Sequence, residues 1–255
     1  MTKIDKSHQI AARVAGISGL ISFAIVVFGN YVLLSPLIVA GNAAETARNI
    51  VAHQTQLRLA IVCFLSYGVT VVVLLTALYL ILKSVNPLLA LLGALFRFVF
   101  AMLWLVAPLN LLSALRVLGT ADYLHVVEPE RLQVLARLQV GGTFDDYYVG
   151  LPFFGLAATV CAYLWFKSRY IPRPLAMFGI IASAWCVVCA FVFLIFPNFN
   201  KIVNDYWFDS PMAIFELIVS FWLLLRGIRA PNPGEAQHTP APSPTSVSLR
   251  LPMFL

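Results

Sequence analysis

The 255-residue chain is 61% hydrophobic and only 11% charged, with a net charge of +6 and a mean hydropathy of +0.88. Soluble globular domains run at about 45–50% apolar and ~25% charged residues, so the composition excludes one and describes an integral membrane protein. The surplus of positive charge reads as a topology signal and as contact with anionic lipid, which leaves no nucleic-acid partner to expect.

Six apolar stretches reach spanning length, since about 20 helical residues at ~1.5 Å each cross a ~30 Å hydrocarbon core. They lie at 14–34, 57–82, 88–108, 147–166, 175–196 and 211–225. The first follows Lys3, Lys6 and Arg13 like the front of a signal peptide. Its apolar run exceeds the ~7–15 residues of a cleavable core, so a retained membrane helix is expected. Gly16, Gly19, Ser22 and Gly29 within it offer another helix a close approach. Ser35-Pro36 ends this helix, and Asn42 followed by Glu45 makes a capping-box-like start for a short outer helix from Ala43 to about Gln54.

The second stretch carries hydroxyls at Ser66, Tyr67, Thr70, Thr76 and Tyr79, expected to bond their own backbone or a neighbouring helix rather than a ligand. The tight 83–87 turn makes an antiparallel hairpin of the second and third stretches. In the third sits Arg97, whose charge at mid-bilayer depth costs from ~2.5 to ~10 kcal/mol or more unless it faces protein or water. Stepping ~100° per residue puts Ala90, Gly93, Ala94, Ala101, Trp104 and Pro108 on its side, with Leu88, Leu92, Leu95, Val99, Met102 and Val106 opposite. The small-residue face belongs against protein and the leucine-rich face against lipid.

The 117–146 loop holds Asp122, Glu128, Glu130, Asp145 and Asp146. Within it, 129–140 places Leu132, Leu135, Ala136 and Val140 on one face, which predicts an amphipathic helix lying on the outer surface and broken by Gly141-Gly142. Asp145 and Asp146 beside Tyr147 and Tyr148, with Asp205 and Asp209 on the next outer loop, form either an acidic outer mouth or a solvated helix start favoured by the helix dipole.

Four cysteines, Cys63, Cys161, Cys186 and Cys189, lie in apolar stretches. Cys186 and Cys189 make a CxxC, but no cation nearby lowers a thiol pKa, so both read as small buried hydrophobes. In the last stretch Glu216 shares a face with Asp209, Ala213, Ser220 and Gly227. Arg97 lies ten residues from Pro87 and Glu216 ten from Arg226, so both sit ~15 Å from the same boundary. They are the two ionisable residues deep in the membrane, opposite in sign and equal in depth. A buried Arg97–Glu216 pair is expected, either as a tie that fixes helix register or as the lining of a ligand or ion cavity.

The positive-inside rule sets orientation. Lys3, Lys6, Arg13, Lys83, Lys167, Arg169, Arg173, Arg226, Arg229 and Arg250 fall on one side, against Arg48, Arg58, Arg116, Arg131, Arg137 and Lys201 on the other. Both termini are therefore expected in the cytoplasm, in a plasma (inner) membrane, with Lys167, Arg169 and Arg173 contacting anionic lipid. His8, His53, His125 and His238 are scattered outside the spans, so neither a metal set nor a haem pair has ligand spacing. Nucleotide-loop and nucleophile-elbow motifs are missing too, and no cofactor is expected. The Pro- and Ser-rich 230–255 tail should be disordered.

Several elements together resemble one family. They are Arg13-Val14-Ala15-Gly16, Ser35-Pro36-Leu37, Leu57-Arg58-Leu59, the 83–87 turn, Phe96-Arg97, Ala121-Asp122-Tyr123 and Phe153-Phe154-Gly155. Tyr163-Leu164, the Lys167-Ser168-Arg169-Tyr170-Ile171-Pro172-Arg173 turn and Glu216 with Trp222-Leu223-Leu224 complete the set. The chain is similar, from about Arg13 to Arg229, to the bacterial domain-of-unknown-function 4386 family of multi-pass membrane proteins. The resemblance implies a six-helix membrane domain and transfers no activity or catalytic residue.

The expected architecture is all-α: a cytoplasmic segment at 1–13, a six-helix membrane bundle at 14–229 with short amphipathic helices on its outer face, and the tail. Three functions compete. The chemistry-poor sequence favours a non-catalytic protein, an accessory subunit or a binder of lipid or another apolar small molecule, in a larger membrane complex or homo-oligomer. A small transporter or channel using Arg97 and Glu216 is the alternative, though no internal repeat supports it. An intramembrane enzyme with Glu216 or Asp146 as base lacks a second catalytic partner.

Overall fold

At bilayer depth no water is present to satisfy the backbone, so an apolar chain pairs its peptide groups within helices. The computed structural model describes residues 6–120, 122–204 and 206–229, and over these it is helical with no strand. Six helices are long and apolar enough to cross a membrane, and the protein is a multi-pass membrane protein. The tail expected after Arg229 lies outside the described residues.

The first span, α1 (Lys6–Val27), continues through Phe28–Leu34 and a tight turn at Ser35–Leu37. Over Phe28–Leu34 it widens to π-type pairing, with the Ser35 N–H donating to the Asn30 carbonyl. The short α2 (Ala43–Ala52) starts as the sequence predicts: Asn42 Oδ1 accepts the Glu45 N–H at 3.0 Å, and Asn42 Nδ2 donates to Glu45 Oε2 at 3.1 Å. The second span, α3 (Gln54–Leu82), is followed by α4 (Pro87–Trp104), where Asn86 Oδ1 accepts the Leu89 N–H and Pro87 opens the first turn.

The third span does not end at Pro108 as expected. It bends at Leu105 and runs on as α5 (Val106–Val117). Pro108 has no N–H for the Trp104 carbonyl and its ring crowds that turn, which bends the helix without ending it.

A larger correction concerns 129–140. This segment does not form a separate surface helix: α6 (Pro129–Ser168) runs unbroken through Gly141-Gly142 for 40 residues, about 60 Å. Packing against α2 and α5 supports it there, with Ala136 and Val140 buried. A Cβ at Gly142 would stand 3.0 Å from Asn110 Nδ2, so a residue expected to break the helix instead lets α5 approach. The last spans are α7 (Arg173–Ile195) and α8 (Tyr206–Leu225).

The spans pack in chain order, α1 on α3, α3 on α4, α4 on α6, α6 on α7 and α7 on α8, and α8 closes back on α1. Lys6 and Arg229 lie at one end of this ring, here the termini end, with the opposite end called the far end. The closing seam is tight because α1 presents glycine: a Cβ at Gly16 would lie 2.6 Å from the Leu224 backbone nitrogen and 2.7 Å from the Ser220 carbonyl oxygen. Gln9 clasps the same seam, donating to the Ile228 carbonyl at 2.8 Å and accepting its N–H at 3.3 Å.

At the termini end the ring is filled. Ala12, Ile81, Leu82, Tyr170, Ile171 and Ile228 pack into one apolar cluster, and the Ser84 and Tyr170 hydroxyls meet at 3.2 Å. On the outside, Leu88, Leu92, Leu95, Val99 and Met102 are exposed while Ala90, Gly93, Arg97 and Ala101 are buried, the division that helical stepping predicts for α4.

Candidate functional site

Within the ring lies a chamber of about 820 Å³. Residues of α1, α3, α4, α5, α6 and α8 wall it, and α7 contributes none. On α6 the lining side chains Tyr147, Leu151, Phe154, Ala158, Cys161 and Trp165 recur every three or four residues, one continuous helix face. On α8 the lining includes Asp209, Ala213, Glu216 and Ser220, the stripe that helical stepping puts together. The wall is mostly aliphatic and aromatic.

Arg97 and Glu216 meet in this wall. Arg97 Nη2 donates to Glu216 Oε1, and Nη1 lies 3.4 Å from Oε2. The Arg97 side chain is only 5% exposed, against 26% for Glu216, so the carboxylate faces the chamber. Helices α4 and α8 are not neighbours in the ring, which makes this ion pair a strut across its middle. The guanidinium also rests 4.9 Å from the centroid of the Phe154 ring, which stacks on Phe100 at 4.6 Å. Arg97 Nε is buried without a hydrogen-bond partner, as is Trp104 Nε1, and Trp104 sits among Phe64, Tyr67, Phe100 and Tyr147.

The four acidic residues that could have formed an outer mouth do not stay together. Asp209 lines the chamber and accepts a hydrogen bond from the Tyr147 hydroxyl. Asp146 instead accepts from Asn110 Nδ2 at 2.8 Å on the α5 side, and Asp145 is exposed; neither lines the chamber. Asp205 lies outside the described residues. Near Asp209 the chamber runs to exposed Asn200, Asn204 and Tyr206, its opening at the far end. Exposed Val27 on α1, Tyr31 on its π-type continuation and Ile214 on α8 also line it, so it reaches the side of the bundle between the first and last spans.

At the termini end Lys167 and Arg173 are exposed, the Arg173 guanidinium 5.5 Å from the Phe166 ring centroid, while Arg169 is half-buried at the end of α6 with φ 57°. The guanidinium groups of Arg226 and Arg229 both lie 4.8 Å from the Trp222 ring centroid. Cys186 and Cys189 are buried free thiols, and Thr70 and Thr76 bond the carbonyls of Tyr67 and Val72 at 2.8 Å. Among the described residues no three His, Cys, Asp or Glu side chains converge as a metal site would require.

A protein-family model described as a domain of unknown function (DUF4386) matches residues 14–227. The chain belongs to this family. The match runs from Val14, within α1, through the other five spans to the Arg226 turn, so the chamber and the Arg97–Glu216 strut lie inside the DUF4386 domain. No curated protein and no solved structure matches the chain.

Three features of this DUF4386 domain are missed by reading single helices: the chamber, the Phe154 contact and the Tyr147–Asp209 hydrogen bond. One signal for them is present, the lining repeat on α6. It marks one continuous inward face of α6, but it does not say what stands opposite.

Proposed function

We propose that this chain is a non-catalytic intramembrane binding protein whose chamber holds a lipid or another apolar small molecule. The chamber itself carries the reading. Its volume of about 820 Å³ falls within the ~300–1,000 Å³ of drug-sized ligand sites, with mostly apolar walls and a few convergent polar groups. The opening between α1 and α8 supports entry from the bilayer, and the filled termini end supports binding over passage.

Native mass spectrometry of protein extracted from its own membrane tests this. A species of lipid or small-molecule mass is expected on the wild type and is expected to be lost from Ala213→Trp, which fills the chamber. A bare wild-type protein, or the same species on the variant, refutes the reading.

Transport is the second reading, favoured by the strut: an ion pair between helices that are not neighbours in the ring is a bond a moving bundle would break and remake. It requires the cluster around Tyr170 and Ile171 to open. Membrane lipids are the proposed partners in either case, Lys167, Arg169 and Arg173 meeting anionic headgroups, and assembly into a larger complex or homo-oligomer fits the first.

The proposed setting is a plasma membrane with both termini cytoplasmic, on the strength of the charge asymmetry. In a background lacking the native cysteines, Lys201→Cys is expected to react with an impermeant maleimide on intact cells. Lys83→Cys should react only after lysis. The reverse pattern inverts the topology.

A further inference from the structure

We infer that the chamber is selective for a lipophilic organic cation, a molecule with an ammonium or other onium head on a hydrocarbon body; this rests on the chamber being a ligand site. Its lining contains three side chains that carry charge, Arg97, Glu216 and Asp209. Arg97 and Glu216 neutralise each other through the strut. Asp209 remains, and among the described residues no cation forms an ion pair with it.

What surrounds Asp209 suits a cation. Tyr147 donates a hydrogen bond from its hydroxyl to the carboxylate, while Tyr31 and Tyr206 line the same end of the chamber and are more than half exposed along its rim. Tyrosine ring faces attract cations electrostatically, and a partly desolvated carboxylate gains from a countercharge. An anion meets the opposite situation: the unpaired carboxylate repels it within the chamber, and it must displace Glu216 to reach the guanidinium.

The body of the ligand has its own place. Ala213, Glu216 and Ser220 succeed Asp209 on the same face of α8, with Glu216 two turns on, ~10.5 Å away. Between those levels Leu151, Phe154 and Phe100 supply an apolar wall. A head at Asp209 therefore leaves the hydrocarbon part against aliphatic and aromatic side chains.

Tetraphenylphosphonium and tetraphenylborate, nearly identical in shape and opposite in charge, separate this proposal from simple apolar binding. Binding is measured on the full-length protein in nanodiscs of zwitterionic lipid, with empty nanodiscs subtracted. Tetraphenylphosphonium is expected to bind saturably, Asp209→Asn to weaken it at least about tenfold, and tetraphenylborate to show no saturable component. Asp209→Glu should retain the preference, and so should Tyr147→Phe, which removes the hydrogen bond but keeps the ring and the carboxylate. Unchanged affinity in Asp209→Asn, or saturable tetraphenylborate binding of similar strength, overturns the cation assignment and leaves the chamber as a site. If neither ion binds and Ala213→Trp changes nothing on native mass spectrometry, the chamber reading falls as well.

Discussion

Glu216→Leu is expected to destabilise the protein by about 3–5 kcal/mol, the range found when one partner of a buried pair is removed. The loss should exceed that of Arg97→Met. A guanidinium cannot shed its charge, and the Arg97 side chain is only 5% exposed, so without Glu216 it stays ionised against Phe154 and the small face of α4. A stranded Glu216 is better placed, because at 26% exposure it borders the chamber and is not enclosed by protein as Arg97 is. The double variant Arg97→Met/Glu216→Leu should recover most of the larger loss, since apolar side chains of similar volume often replace a buried pair at little cost. Thermal unfolding in nanodiscs gives the cycle. Strictly additive losses would show that the two residues are not energetically coupled.

The second large effect is expected at the α1–α8 seam. Gly16→Ala, Gly16→Val and Gly16→Leu should destabilise in that order, with leucine reaching ~3 kcal/mol or more. The Cβ of any replacement meets backbone, the Leu224 nitrogen and the Ser220 carbonyl, which cannot rotate away as a side-chain tip could. Relief requires the helices to separate, and separation also breaks the Gln9–Ile228 clasp. Gly41 is the control: it is exposed, has φ 71° and has nothing near its missing Cβ, so Gly41→Asn should leave the seam intact. Equal unfolding temperatures across the Gly16 series would show that the seam does not hold the ring closed.

How much of this is legible in the sequence depends on the range of each interaction. The division of α4 into a buried small face and an exposed leucine face follows from helical stepping alone, and so does the stripe through Glu216 on α8. Pairing Arg97 with Glu216 needs only depth and charge, because a bilayer leaves few ionisable groups at mid-thickness and each needs a partner. The Asn42–Glu45 cap is equally local. Gly141-Gly142 misleads because its cost, roughly 1 kcal/mol per glycine in water, is offset where α2 and α5 pack against the helix. Pro108 misleads similarly, since a proline within a membrane helix can bend it without ending it. The acidic residues mislead by sharing one side of the membrane: Asp146 and Asp209 lie near the same end but face different neighbours, Asn110 and Tyr147, and which helix stands beside which is not written in either segment. The chamber is the least legible feature of all, because it is space left where six separately readable faces fail to meet.

The closed ring also has a consequence for biosynthesis. Each span contacts the one made just before it, so five of the six joints can form as the chain emerges, in order. The sixth joins the earliest helix to the latest: Gly16 waits for Leu224, and Gln9 for Ile228. Until those last residues are made the α1–α8 seam has no partner to close on, so the ring is completed only by the end of the chain.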